Sequence, residues 1–210
     1  LRQDFENSCR YWVTASLSTP ELEKSDLYKT DVIEASCHLA GIKLESLCKG
    51  MINAFKNGDK SQATLYFTYF GSLIQMMDHV LAGHPHFRLA EWLDSAEKMA
   101  GGNEKLIKHY REDGRYLNTV WGHSTYPLYD YAARMWNGLL RDYYYHRWET
   151  WYNGKMQGKD DATISNEVHA FEDGWVADSE LSRSPTPKDI VKACRDLVNF
   201  ADSIDLSNWD

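Results

Sequence analysis

The sequence predicts an all-α protein, a single helical bundle-like domain of about seven or eight helices spanning residues 1–210. Three observations lead there. Apolar residues recur three to four positions apart in nearly every segment, the spacing of one helix face, rather than alternating as in a strand. No Asn-Gly or Asp-Gly pair lies between two β-branched runs, as a tight hairpin requires. The stretches between periodic segments are mostly short, which favours antiparallel helix neighbours, and no solenoid repeat period stands out. With 43% hydrophobic and 26% charged residues among 210, the chain has material for one sizeable core.

The first helix is expected over Asp4–Leu17. Thr19-Pro20-Glu21 then offers a capping hydroxyl, a proline at the first helical position and an acid near the positive end, so a second helix is expected from there to Phe55. Its apolar positions are Leu27, Ile33, Ala40, Leu44, Leu47, Met51 and Phe55, and Asn57-Gly58-Asp59 stops it. A third, over Ser61–Ala82, is apolar around much of its circumference and is expected to be central. Gly83-His84-Pro85 breaks it. Short helices follow over Leu89–Ala100 and Asn103–Val120, separated by Gly101-Gly102. Trp121–Tyr129 reads as a loop, and Asp130 as the N-cap of a long aromatic helix reaching Gly154. The chain closes with a helix over Thr163–Ala177 and another begun by Thr186-Pro187, a repeat of the Thr19-Pro20 pattern.

Composition removes several function classes. A formal charge of -8 with scattered Lys and Arg argues against a nucleic-acid partner, and no apolar run spans a membrane. Cys9, Cys37, Cys48 and Cys194 form no CxxC pair, and Cys37 and Cys48 lie three helical turns apart, too far for a mutual disulfide. All four are expected to be free and mostly buried. The chain starts at Leu1 without an initiator methionine and without a signal-peptide pattern, and is read as a piece of something longer.

Large aromatics crowd into the interval from Tyr110 to Tyr152, where most serve packing. The loop WGHSTYPLY differs: Trp121, Tyr126 and Tyr129 sit where helix periodicity no longer requires an apolar residue, and a flat indole or phenol suits the apolar face of a sugar ring. His84 and His86 flank one proline, but no carboxylate or cysteine pattern completes a metal site, and no metal or cofactor is expected. Glu112-Asp113 and Asp142-Glu149 read as solvated helix charges rather than as glycosidase acids; Asp130 likewise has no partner with an evident reason for a split pKa. No GxSxG, HExxH or GxxxxGK[ST] motif is present.

The segment WGHSTYPLYDYAARMWNGLLRDYYYHRW resembles the C-terminal region of the α-N-acetylglucosaminidases, glycoside hydrolase family 89, with their WG-loop-LDYA-x-x-x-W-x-GL-x-x-x-YY-x-x-RW pattern. YKTDVIEAS at Tyr28, AGHPHFRLAEWLDSA at Ala82, YREDGRYLNTVWG at Tyr110 and FEDGW at Phe171 are similar to further family segments in the same order. The resemblance implies the all-helical C-terminal domain of an exo-acting retaining enzyme that removes terminal α-linked N-acetylglucosamine. It also implies that an N-terminal domain and a catalytic (β/α)8 barrel, carrying both catalytic glutamates, lie outside this chain. Catalytic residues are therefore not expected here. The partners implied are that barrel, in the same parent chain, and the terminal sugar; the parent would be lysosomal, periplasmic or secreted. Carried over residue by residue, Trp121, Leu128 and Tyr131 would form part of the sugar-pocket wall. His123 and His146 replace prolines of the pattern, and the loop is one residue longer, which makes Pro127 the alternative to Leu128. A free-standing, non-catalytic bundle that binds a carbohydrate or a protein is the other reading.

Overall fold

The computed structural model describes residues 2–122, 129–131, 133–177 and 183–206. Eight α-helices and no named strand occur among them, in agreement with the predicted class. Contacts divide the chain into two compact units, residues 1–84 with 185–210, and residues 85–184.

In the first unit α1 (Arg2–Thr14), α2 (Asp26–Lys56), α3 (Lys60–Leu81) and α8 (Ile190–Ser203) pack around an aliphatic core. Val32, Ile33, Cys37, Leu47 and Met51 of α2, Leu73, Ile74, Met77 and Leu81 of α3, and Cys194 and Leu197 of α8 are nearly or wholly inaccessible. Each such side chain contributes about 1.5–3 kcal/mol by leaving water. The central helix is α2, packed against α1, α3 and α8, rather than α3 as the apolar content suggested. Leu65, Thr68, Ser72, Gln75 and His79 leave one side of α3 in solvent. Cys9, Cys37 and Cys194 are buried, Cys48 is half-buried, and all four are free.

Two helix starts differ from the expectation for one reason. Pro20 opens a 3-10 turn, Pro20–Lys24, and Thr19 makes no side-chain cap. The helix begins at Asp26, where the Ser25 hydroxyl accepts the Tyr28 N–H. At the other end of the chain Thr186-Pro187 again precedes the true start, which Asp189 makes by accepting the Lys192 N–H. A Thr-Pro pair is compatible with an N-terminus, but the nearest carboxylate or hydroxyl that reaches an orphan N–H decides where the helix starts.

The second unit holds α4 (Leu89–Lys98), α5 (Glu104–Leu117), α6 (Tyr145–Met156) and α7 (Asp161–Ala177), with α4 on α5, α6 on α7 and α5 on α7. The long helix expected from Asp130 starts ten residues later. Asp130 is left-handed, φ 60°, and so cannot be the N-cap of a helix. Residues 133–137 follow without helical structure, the Asn137 N–H bonds the Phe87 carbonyl at 2.8 Å, and the Leu89 N–H bonds the Asn137 carbonyl at 3.1 Å. Gly138, φ 89°, then makes the turn into the helix. Its first stretch, Leu140–Tyr144, is a π-helix in which the Tyr145 N–H reaches the Leu140 carbonyl. Leu89, Leu93, Leu139 and Tyr143 form the core here, with Trp136, Tyr144, Phe171 and Trp175 against it. No helix among the described residues is long and apolar enough to cross a membrane.

Candidate functional site

Three features of the second unit converge at the end of α5. The helix stops at Leu117, and the chain turns there so that the Trp121 N–H donates to the Tyr116 carbonyl at 2.9 Å. The Val120 carbonyl accepts twice, from Gly122 at 2.6 Å and from Asp130 at 2.9 Å. That second bond ties the far end of the loop back to its beginning. Trp121 and Asp130 both take positive φ, 54° and 60°, a conformation that L residues adopt at a cost. The consequence is a pair of rings: the Trp121 indole and the Tyr131 phenol lie 6.0 Å apart, tilted by 53°. Tyr131 is 69% exposed and Trp121 36%, so both present ring surface to solvent.

Behind the pair lies a cluster of charge. The Arg147 guanidinium donates from Nη1 to Asp130 Oδ2 at 2.9 Å, and its Nε sits 2.7 Å from Glu172 Oε1. The guanidinium also lies 5.4 Å from the Tyr143 ring centroid and 6.0 Å from that of Tyr144, over aromatic faces that favour a cation. Glu172 Oε2 accepts from the Tyr129 hydroxyl and lies 2.9 Å from His169 Nδ1. The Tyr129 and His169 rings meet edge to face at 5.3 Å.

This convergence depends on how closely α6 and α7 approach. Gly154 faces Ile164, where a Cβ would stand 2.6 Å from Ile164 Cγ1, so the close approach of the two helices at that point needs a glycine. The Glu172 side chain is 1% exposed. Burial pushes its carboxyl up to about 7, and the neighbouring Asp173 charge adds to the rise.

The structure thus brings together Trp121 and Tyr131 of the three predicted wall residues. Leu128, with its alternative Pro127, and the loop positions His123 and Tyr126 lie outside the described residues. Glu112, within 3.6 Å of Lys108, and the exposed Asp113 are solvated helix charges, as expected. Asp142 pairs with Arg141 and Glu149 with His146, each satisfied locally. Among the described residues no group of three or more His, Cys, Asp and Glu is placed to hold a metal ion. Arg147, His169 and Glu172 were not singled out in the sequence. The RW and FEDGW motifs contain two of them, but neither motif discloses that its charge is buried against the other.

The family model of the alpha-N-acetylglucosaminidase (NAGLU) C-terminal domain matches residues 2–199. The chain belongs to that family. The NAGLU C-terminal match runs through both compact units. Human alpha-N-acetylglucosaminidase is 37% identical over 76 residues, 36% of this chain and 10% of the relative. Among solved structures, the family 89 glycoside hydrolase from Clostridium perfringens in complex with 2-acetamido-1,2-dideoxynojirmycin superimposes with a TM-score of 0.82 at 23% identity, over 98% of this chain and 24% of that one. A complex of the same organism's enzyme with its substrate GlcNAc-alpha-1,4-galactose gives 0.77 at 23% identity, over 93% and 23%. The chain therefore spans about a quarter of the bacterial structures and a tenth of the human relative. At that identity the structural likeness speaks for the fold of this NAGLU C-terminal member.

Proposed function

We propose that residues 1–210 are the all-helical C-terminal domain of an exo-acting retaining glycosidase that removes terminal α-linked N-acetylglucosamine. In this reading the N-terminal domain and the (β/α)8 barrel with its two catalytic glutamates belong to the rest of the parent chain. The helical domain packs on that barrel and supplies part of the pocket wall through Trp121, Leu128 and Tyr131. The observation that carries the reading is the exposed Trp121–Tyr131 pair, held at 6.0 Å by a closed turn on the loop that the family pattern marks. An indole and a phenol at an angle make a concave apolar corner suited to the C–H face of a pyranose, while the phenol hydroxyl and indole N–H remain able to hydrogen-bond its substituents. Such a wall orients the sugar and excludes water; proton transfer and nucleophilic attack stay with the barrel carboxylates.

The test has two arms. The 210-residue chain should show no hydrolysis of a chromogenic α-N-acetylglucosaminide above background, and turnover by the chain alone would overturn the reading. In the full-length parent, Trp121→Ala should lower kcat/KM about ten- to a hundredfold, with KM carrying much of the loss. A parent indifferent to Trp121→Ala would remove the pocket-wall assignment.

A further inference from the structure

We propose that Arg147 and Glu172 are positioning residues of this site, which hold Asp130 in its left-handed turn and thereby set Tyr131 against Trp121. Three consecutive residues meet three different fates. Tyr129 turns inward and donates to Glu172. Asp130 turns inward and accepts from Arg147 at 2.9 Å. Tyr131 is left 69% exposed with its ring 6.0 Å from Trp121.

Aspartate enters the left-handed region more readily than most L residues but still at a cost, and at φ 60° its conformation is held by its surroundings. Two contacts hold it. The backbone N–H of Asp130 is tied to Val120, and its carboxylate to Arg147. The guanidinium in turn is ion-paired with Glu172, whose Oε1 lies 2.7 Å from Nε without hydrogen-bond geometry, and lies over the Tyr143 and Tyr144 faces, so it is held inside rather than left as a mobile surface charge. Glu172, 1% exposed and also engaged by His169 and Tyr129, joins α7 to both ends of this clamp. The arrangement orients a wall from behind without touching what the wall faces. It is the relation of supporting groups to a preorganised site.

The consequence for substrate rests on the pocket-wall reading, whereas the ring placement does not, and the experiment separates the two. The 210-residue chain is labelled with fluorotryptophan, and the Trp121 resonance is assigned by its loss in Trp121→Phe. Arg147→Met should move that resonance toward the position it takes in Tyr131→Ala and abolish the Trp121–Tyr131 ring contact seen by NOE, with helical circular dichroism retained. Glu172→Gln, which keeps shape and acceptor, should move it in the same direction but less, and serves if Arg147→Met fails to fold. Asp130→Gly adopts the left-handed turn freely, so adding Arg147→Met to it should produce little further movement. A Trp121 resonance and ring contact unchanged in folded Arg147→Met or Glu172→Gln would overturn the proposal, as would a full Arg147→Met effect persisting in the Asp130→Gly background. In the full-length parent Arg147→Met should raise KM about tenfold with kcat changed less. If the rings follow Arg147 while the parent ignores Trp121→Ala, positioning stands and the wall reading falls; if the parent needs Trp121 while the rings ignore Arg147, the reverse holds.

Discussion

Where the first unit buries mainly aliphatic side chains along its helices, Val32, Ile33, Leu47, Met51, Leu73 and Leu197 among them, with Ser16, Ser36 and Asp78 as its polar exceptions, the second buries Tyr143, Arg115, Asn118, Thr119, Asn137 and Glu172 around irregular backbone. The aliphatic core is held by non-directional burial, which tolerates adjustment of angle and register. The aromatic one is held by contacts with geometry: Tyr143 lies 4.9 Å from Trp175 and 5.1 Å from Tyr144, Arg115 sits over Trp175 at 5.3 Å, and Arg147 is fixed between two carboxylates. Buried polar groups are costly unless satisfied, and here Asp130 Oδ1 and Glu172 Oε1 have no hydrogen-bond partner, so the cluster relies on the pairing of Arg147 with both carboxyl groups. The difference teaches where to look for function in an all-helical fold. The site proposed for this chain lies where a helix stops and φ turns positive, not where packing is most regular.

The largest expected effect tests the aliphatic side of that contrast. Leu47 is wholly inaccessible in the middle of α2, and Leu47→Ala should cost about 2–5 kcal/mol in chemical denaturation, lost transfer energy plus a cavity. Because no proton is bound or released by a methyl group, the cost should be nearly the same in mildly acidic and mildly alkaline buffer. A strongly pH-dependent cost would mean that titrating groups hold the first unit too.

The aromatic side should behave in the opposite way. Glu172 is raised from 4.5 to about 7 by burial and by Asp173, with Arg147, His169 and Tyr129 facing it from α6, α7 and the loop. Between those two values the folded chain keeps a proton that the unfolded chain releases. Its contribution to stability is therefore fully present below about 4.5 and is lost as pH rises through about 7, an effect on the order of 2 kcal/mol. Denaturation curves across that window should show the slope, and Glu172→Gln should flatten it. A slope unchanged in Glu172→Gln would assign the pH dependence to another group.

What the sequence disclosed follows the same division. The bodies of α2 and α3 are legible because apolar residues at helical spacing have one outcome, burial against neighbours. The end of α5 ahead of Trp121 is legible because helical periodicity stops there. The helix expected from Asp130 failed because residues 130–138 carry the same residue types as the helix that follows, while a left-handed aspartate and an Asn137 pairing with Phe87 and Leu89 are decided by tertiary contacts. Arg147 and Glu172 escaped for a related reason. On its own helix each looks like a solvated charge, and nothing local tells that a partner many residues away is turned toward it.

The smallest effects sharpen the comparison by showing what does not differ between the units. Ser25 caps α2 by accepting the Tyr28 N–H at 3.3 Å, and Asn103 caps α5 by accepting from Lys105 and Leu106 at 3.1 and 3.3 Å. Both satisfy orphan donors at a helix start, so Ser25→Ala and Asn103→Ala should each cost about 1 kcal/mol. Thr19→Ala, six residues before Ser25 at a position that makes no cap, should cost less than about 0.5 kcal/mol. Equal costs at Ser25 and Asn103 would place the contrast between the units in their cores, since helix ends would then be worth the same in both. A cap in the second unit worth several times the other would mean that its helices depend on their ends as much as on the aromatic cluster, and a costly Thr19→Ala would return the start of α2 to the Thr-Pro pair.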